Sequence, residues 1–212
     1  MKSKILDLLK NQYPSPKISL NFNNTLELLV ATILSAQCTD KQVNIVTKLL
    51  FKKYKTVNDY ATADLRIFEA AINSVGFYHN KAKNIINTSK KILSVFNGKI
   101  PESMDKLITL PGVARKTANI ILFHGFNKIE GIAVDTHVKR ISQRLGLTIN
   151  TNPDKIEKDL MSLLPKKEWG ILNNLIIHHG RTICTAKNQK CGECVLSKLC
   201  HFYKINKEIY LL

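Results

Sequence analysis

SMDKLITLPGVARKTANIIL, residues 103–122, is the stretch from which the chain is read. Two apolar-periodic segments flank the triplet PGV. Pro111 lacks an N–H and disfavours the α conformation in the residue before it, so the first helix is expected to end at Leu110. Gly112 permits a positive φ and a close backbone approach. The second helix is expected to begin about Val113–Ala114. Its first amides have no intrahelical acceptor and point outward, and with the helix dipole they form an anion site. A helix–hairpin–helix of this kind grips a phosphate backbone without reading base edges.

Outward from the hairpin, the 3.6-residue period persists. Asn24–Thr25 starts a helix through LELLVATILSAQ, and Asp40 starts another through VNIVTKLLFKKY. Asp64 caps LRIFEAAINSV, which is expected to stop at Gly76, and a long helix is predicted from His79 to Phe96. Asp135 opens THVKRISQRLG, Pro153 opens DKIEKDLMSLL, and Lys166 or Lys167 begins EWGILNNLIIHHG. GIAV is the longest strand-like run. The expected fold class is therefore all-α, with about ten short helices and tight connections.

Charge narrows the partner. The 212 residues carry 32 Lys and Arg against 16 acidic residues, a net charge of +16. A surplus of that size attracts a polyanion. No apolar run reaches the roughly 18 residues that span a bilayer. The start, MKSKILDLLKNQY, lacks the apolar region of a secretory signal, so the expected location is the cytoplasm, with no membrane partner. Four of five cysteines fall in CTAKNQKCGECVLSKLC: Cys184, Cys191, Cys194 and Cys200. In a reducing compartment such clustering reads as metal binding. Zinc and iron–sulfur are both open on the residues, although four-cysteine zinc sites usually use two CxxC pairs and this loop has one. Cys38 stands apart and is expected to be a small buried helix residue. Arg140 and Arg144, one turn apart, are placed to touch DNA or to pair with acidic residues. His137, His178 and His179 read as structural, and Trp169 as core.

LPGVARKTAN (110–119), AVDTHVKRISQRLG (133–146), ILSAQCTDKQVN (33–44), VGFYHNKAKNI (75–85) and the terminal cysteines together resemble the endonuclease III family of helix–hairpin–helix DNA glycosylases. The likeness covers nearly the whole chain. It implies two helical lobes flanking a DNA-binding cleft. Residues 18–128 would form a six-helix lobe with the hairpin. Residues 1–17 and 129–212 would form the other, holding a 4Fe–4S cluster on the four cysteines.

The resemblance also implies a reaction. The chain would be a bifunctional DNA N-glycosylase and abasic-site lyase of base excision repair. Its partner would be double-stranded DNA carrying oxidised pyrimidines or abasic sites, met at the nucleoid by a monomer. Lys116 would be the nucleophile and Asp135 its carboxylate partner. Gln37 and Phe77 would fill the gap left by an extruded nucleotide. Lys81, Gly112, Ala114 and Arg115 would contact the DNA backbone, as would Lys187 and Lys190 in the cysteine loop. Two residues depart from the family pattern: Ala114 stands where a second glycine is usual, and Phe77 where leucine is frequent. An adenine glycosylase, a monofunctional mismatch glycosylase and a non-catalytic DNA-binding or redox-sensing protein are the rivals. Lys116 and Asp135 argue against the last.

Overall fold

The structure is a computed structural model that describes residues 2–206. Residues Ser19–Glu130 form one compact unit, and the flanking segments form a second. In chain order the helices are α1 (Lys2–Gln12), α2 (Thr25–Ser35), α3 (Asp40–Lys53), α4 (Val57–Ala61), α5 (Leu65–Ala71), α6 (Tyr78–Phe96), α7 (Met104–Leu107), α8 (Arg115–Phe126), α9 (Thr136–Leu145), α10 (Pro153–Leu163), α11 (Trp169–Thr182) and α12 (His201–Ile205). Short 3-10 turns join some of them. No strand occurs among the described residues, and none of their helices is long and apolar enough to cross a membrane.

The unit Ser19–Glu130 is built around α2. Every residue from Leu28 to Leu34 is buried, as expected of a helix that is apolar on all sides. Helices α3, α6 and α8 pack on it. Asn24 caps α2 by accepting from the Glu27 amide at 3.0 Å. The cap of α3 is Thr39, one residue before the expected Asp40. Helix α4 has no apolar period to announce it; a reciprocal capping box between Thr56 and Asp59 starts it instead. Its Tyr60 joins Tyr54 and Phe68 in an aromatic cluster with ring centroids 5.2–6.0 Å apart.

Two helices are shorter than expected. Helix α5 ends at Ala71 rather than near Gly76, because the chain turns through i→i−3 bonds such as Val75 N to Ile72 O. Helix α7 is a single turn. The residues up to Leu110 tighten in the same way, with Leu110 N bonded to Leu107 O.

The second unit has its own core, including Leu9, Ile132, Val138, Ile141, Leu160 and Leu175. GIAV is buried but is not a strand. The Ile132 amide donates to Glu157 Oε1 at 3.1 Å, and Asn173 Nδ2 donates to Ala133 O at 2.8 Å. Side chains from α10 and α11 thus satisfy backbone groups that a sheet would otherwise have paired. Trp169 packs partly buried against this core, and its Nε1 donates to Leu164 O at 2.9 Å.

The aromatic cluster gives a contrast that can be measured. Phe68→Ala removes a fully buried ring and is expected to cost about 3–5 kcal/mol in urea unfolding. The buried Tyr60 hydroxyl has no hydrogen-bond partner, so Tyr60→Phe is expected to leave stability unchanged or raise it by about 1 kcal/mol.

Candidate functional site

The hairpin is held from below by α6. Gly112 is exposed with φ +77°, and a Cβ there would lie 3.0 Å from Asn84 Cβ and Nδ2. One turn on, Thr88 Oγ1 donates to Pro111 O at 2.7 Å, and Lys91 Nζ donates to Thr109 O at 2.8 Å. Ala114 is the N-cap of α8 at φ −86°, ψ 171°, extended backbone that alanine adopts without strain. The departure from glycine therefore carries no backbone cost. No side chain caps α8, whereas α2, α3, α9 and α10 are each capped by a polar side chain. Arg115 is half-buried and Lys116 exposed on that first turn.

Asp135, half-buried, is the N-cap of α9, its Oδ1 accepting from the Val138 amide at 2.8 Å. The cap fixes the carboxylate through one of its two oxygens. Lys116 belongs to the unit Ser19–Glu130 and Asp135 to the other.

Gln37 and Phe77 share a backbone feature that the sequence did not advertise. Gln37 has φ 52° and Phe77 φ 58°; the other positive-φ non-glycine residues described, Asn97 and Asn127, end helices. Asparagine is at home there, but glutamine and phenylalanine are not, and the left-handed conformation costs them roughly 1–2 kcal/mol each. Both are exposed, Phe77 by 64%. Strain of this kind collects where a side chain must be presented. The two turns adjoin: a Cβ on Gly76 would lie 3.6 Å from Gln37 O, and Gln42 Nε2 donates to Ser74 Oγ at 2.8 Å.

Lys81 does not reach solvent, which corrects its assignment as a phosphate contact. It is 5% exposed, and its Nζ donates to Leu34 O at 2.8 Å and Ala36 O at 2.5 Å. An ammonium occupied in this way has no reach left for DNA. Lys83, two positions further along α6, is exposed. Cys38 is half-exposed in the turn after α2, neither buried nor helical, because α2 ends at Ser35.

The four clustered cysteines line one cavity, together with Arg144, His179 and Phe202 among others. No three His, Cys, Asp or Glu side chains among the described residues converge on a single ion's position. Burial, reinforced by the neighbouring thiols, pushes the Cys194 thiol up to about 11, and burial raises that of Cys200 as well. Burial also pushes His179 down to about 4; its Nε2 lies 3.5 Å from the Cys194 sulfur.

Arg140 and Arg144 meet carbonyls and sulfur. Arg144 Nη1 lies 2.7 Å from Thr185 O and 3.2 Å from Cys184 Sγ, and its Nη2 lies 3.0 Å from Ala186 O. Arg140 Nη2 donates to Cys184 O at 3.0 Å. These bonds tie α9 to the loop that displays Lys187 and Lys190, both exposed. Sequence reasoning missed that role, and it missed the α6 residues under the hairpin. A spacing of 84, 88 and 91 puts them on one face, but polar residues at that period look like a solvated surface.

Comparison with known proteins gives a consistent picture. Residues 30–166 match the model of the HhH-GPD superfamily base excision DNA repair proteins. The endonuclease III of Synechocystis is 52% identical over 198 residues, covering 93% of this chain and 90% of that protein. That of Bacillus subtilis is 44% identical over 196 residues, covering 92% and 89%. A solved structure described as a trapped endonuclease III–DNA covalent intermediate superimposes with a TM-score of 0.92 at 42% identity, covering 98% of this chain and 99% of the other.

The hairpin makes a direct prediction. Gly112→Ala forces a side chain into a left-handed residue and against Asn84. A loss of about 1–2 kcal/mol in stability is expected, read by urea unfolding.

Proposed function

The chain belongs to the HhH-GPD superfamily of base excision DNA repair proteins, and we propose that Lys116 and Asp135 are its catalytic residues. It is a DNA glycosylase and abasic-site lyase of the endonuclease III type. Its substrate is double-stranded DNA, met at the nucleoid, with oxidised pyrimidines and abasic sites as the lesions. The observation that carries the assignment is an exposed lysine on the first turn of an uncapped helix, just past a phosphate-gripping hairpin. A relative sharing 42% of its residues has been trapped covalently on DNA.

The chemistry follows from these groups. The Lys116 amine attacks C1′, the C1′–N bond breaks, and the departing base takes a proton. The sugar ring opens to an iminium joining C1′ to the lysine nitrogen. Loss of a C2′ proton then expels the 3′ phosphate, nicking the strand on the 3′ side of the lesion. Asp135 takes a proton from the lysine and stabilises positive charge developing on the sugar. Gln37 and Phe77 fill the space vacated by the extruded nucleotide. Gly112, Ala114 and Arg115 at the hairpin, and Lys187 and Lys190 in the cysteine loop, contact phosphates.

Cys184, Cys191, Cys194 and Cys200 hold a 4Fe–4S cluster in this reading. The donor set fits. Four thiols line a shared cavity, and burial beside neighbouring thiols holds Cys194 protonated unless a cation lies among them. The bound group would be chiefly structural, fixing the loop that carries the two lysines.

Three measurements check this. Borohydride trapping on abasic DNA should give a covalent adduct that Lys116→Ala abolishes while DNA binding persists; an adduct that survives moves the nucleophile elsewhere. Affinity should fall with salt at a slope of about −0.9 per phosphate neutralised, and Lys187→Ala with Lys190→Ala should each reduce that slope by about 1. Purified protein should carry iron and sulfide in equal amounts, and Cys191→Ala should lose both along with thermal stability.

A further inference from the structure

We propose that Lys81 is a positioning residue that locks the Gln37 and Phe77 turns into one rigid wedge. This inference rests on the glycosylase and lyase reading above. Its observations lie within the single unit Ser19–Glu130.

Lys81 is bonded to both turns at once. Its backbone amide donates to Phe77 O at 3.1 Å, in the first turn of α6. Its ammonium, carried inward on a buried stem, donates to Leu34 O and Ala36 O, at 2.8 and 2.5 Å. Those two carbonyls belong to the end of α2, immediately before Gln37. One residue therefore joins the backbone that presents Phe77 to the backbone that presents Gln37. The Gly76 packing on Gln37 O and the Gln42–Ser74 hydrogen bond close the same junction.

The arrangement is costly, which argues for a purpose. The last carbonyls of a helix lack intrahelical donors. A glycine or asparagine just past the helix, in the left-handed conformation, normally supplies the turn that satisfies them. Here that position is Gln37, which strains its own backbone. The Cys38 amide still meets Ser35 O at 3.1 Å, but Leu34 O and Ala36 O are met by a buried ammonium, and desolvating a cation is itself unfavourable. Burial lowers the Lys81 pKa, opposed by nearby Cys38. Glycine at 37 and an apolar residue at 81 would be the easier solution for stability. It would lose a long amide at the tip and the tether that aims it.

The position also has a physical use. Extruding a nucleotide requires a filler already in place, because the unstacked duplex closes on any gap. Two side chains on independent turns would each have to be ordered on binding. Tied through Lys81, they are ordered beforehand and move as one.

Lys81→Met keeps the stem's length and removes the donors. Trapping by borohydride is measured on an abasic site in duplex DNA and on the same strand alone, where no extrusion is needed. The expected result is a loss of about tenfold to a hundredfold in the duplex trapping rate, with the single-strand rate within about twofold of wild type. Equal losses on both substrates, or no loss on either, overturn the proposal. Wild type that traps neither substrate overturns the lyase reading instead, so the two failures are distinguishable. A cycle with Gln37→Ala supplies a second readout. The double variant should lose no more on duplex than the larger single loss, and additive losses overturn the proposal. If Lys81→Met does not fold, Lys81→Gln, which retains one donor, is measured in the same way.

Discussion

Donation from the side chains of α6 to backbone carbonyls of neighbouring turns is the constraint on which the unit Ser19–Glu130 depends. Lys81 satisfies the end of α2, Thr88 and Lys91 satisfy the hairpin turn around Pro111, and Asn84 fills the space beneath Gly112. Turns at a surface are held weakly when water can compete for their carbonyls. A helix of 19 residues, rigid along its length, fixes their spacing to that of its own turns. Both the hairpin and the turn after α2 are therefore referenced to one rod.

That rigidity makes an uncapped helix useful. Among the described helices, α2, α3, α4, α5, α9 and α10 are sealed by their own Asn, Thr or Asp side chains. At α8 the cap is alanine, and the first turn carries Arg115 and Lys116. An open positive end beside two cations is unfavourable for the free protein and favourable once an anion arrives. Net charge adds long-range attraction for the same partner. Backbone strain is likewise accepted at the left-handed Gln37 and Phe77.

The second unit applies the same logic to a loop. Arg144 and Arg140 extend from α9 and satisfy carbonyls of the segment after α11, and Arg144 also approaches the Cys184 sulfur. Gly180 permits the close approach of α9 to α11, since a Cβ there would fall 2.6 Å from His137 Nδ1. The helix opened by Asp135 is thereby coupled to the cysteine loop through fixed side chains. Any group held by the thiols adds to a loop that the arginines already shape.

By itself the sequence determined the helical class and the hairpin, because each rests on local rules. A 3.6-residue period, a Pro-Gly break, an Asp before a helix and a spaced cysteine run are all visible within a few neighbouring residues. Family likeness then assigned Lys116, Asp135 and the four cysteines their expected roles. Tertiary structure decided what depends on partners far along the chain. It turned Lys81 inward, since the carbonyls at the end of α2 lie 45 and 47 positions earlier. It kept GIAV from becoming a strand, because Glu157 and Asn173 supply its hydrogen bonds. It shortened α5 and α7, put Cys38 in a turn, and gave Arg140 and Arg144 carbonyl partners. A lysine's destination depends on which acceptors surround it after folding, and no periodicity in one dimension records that.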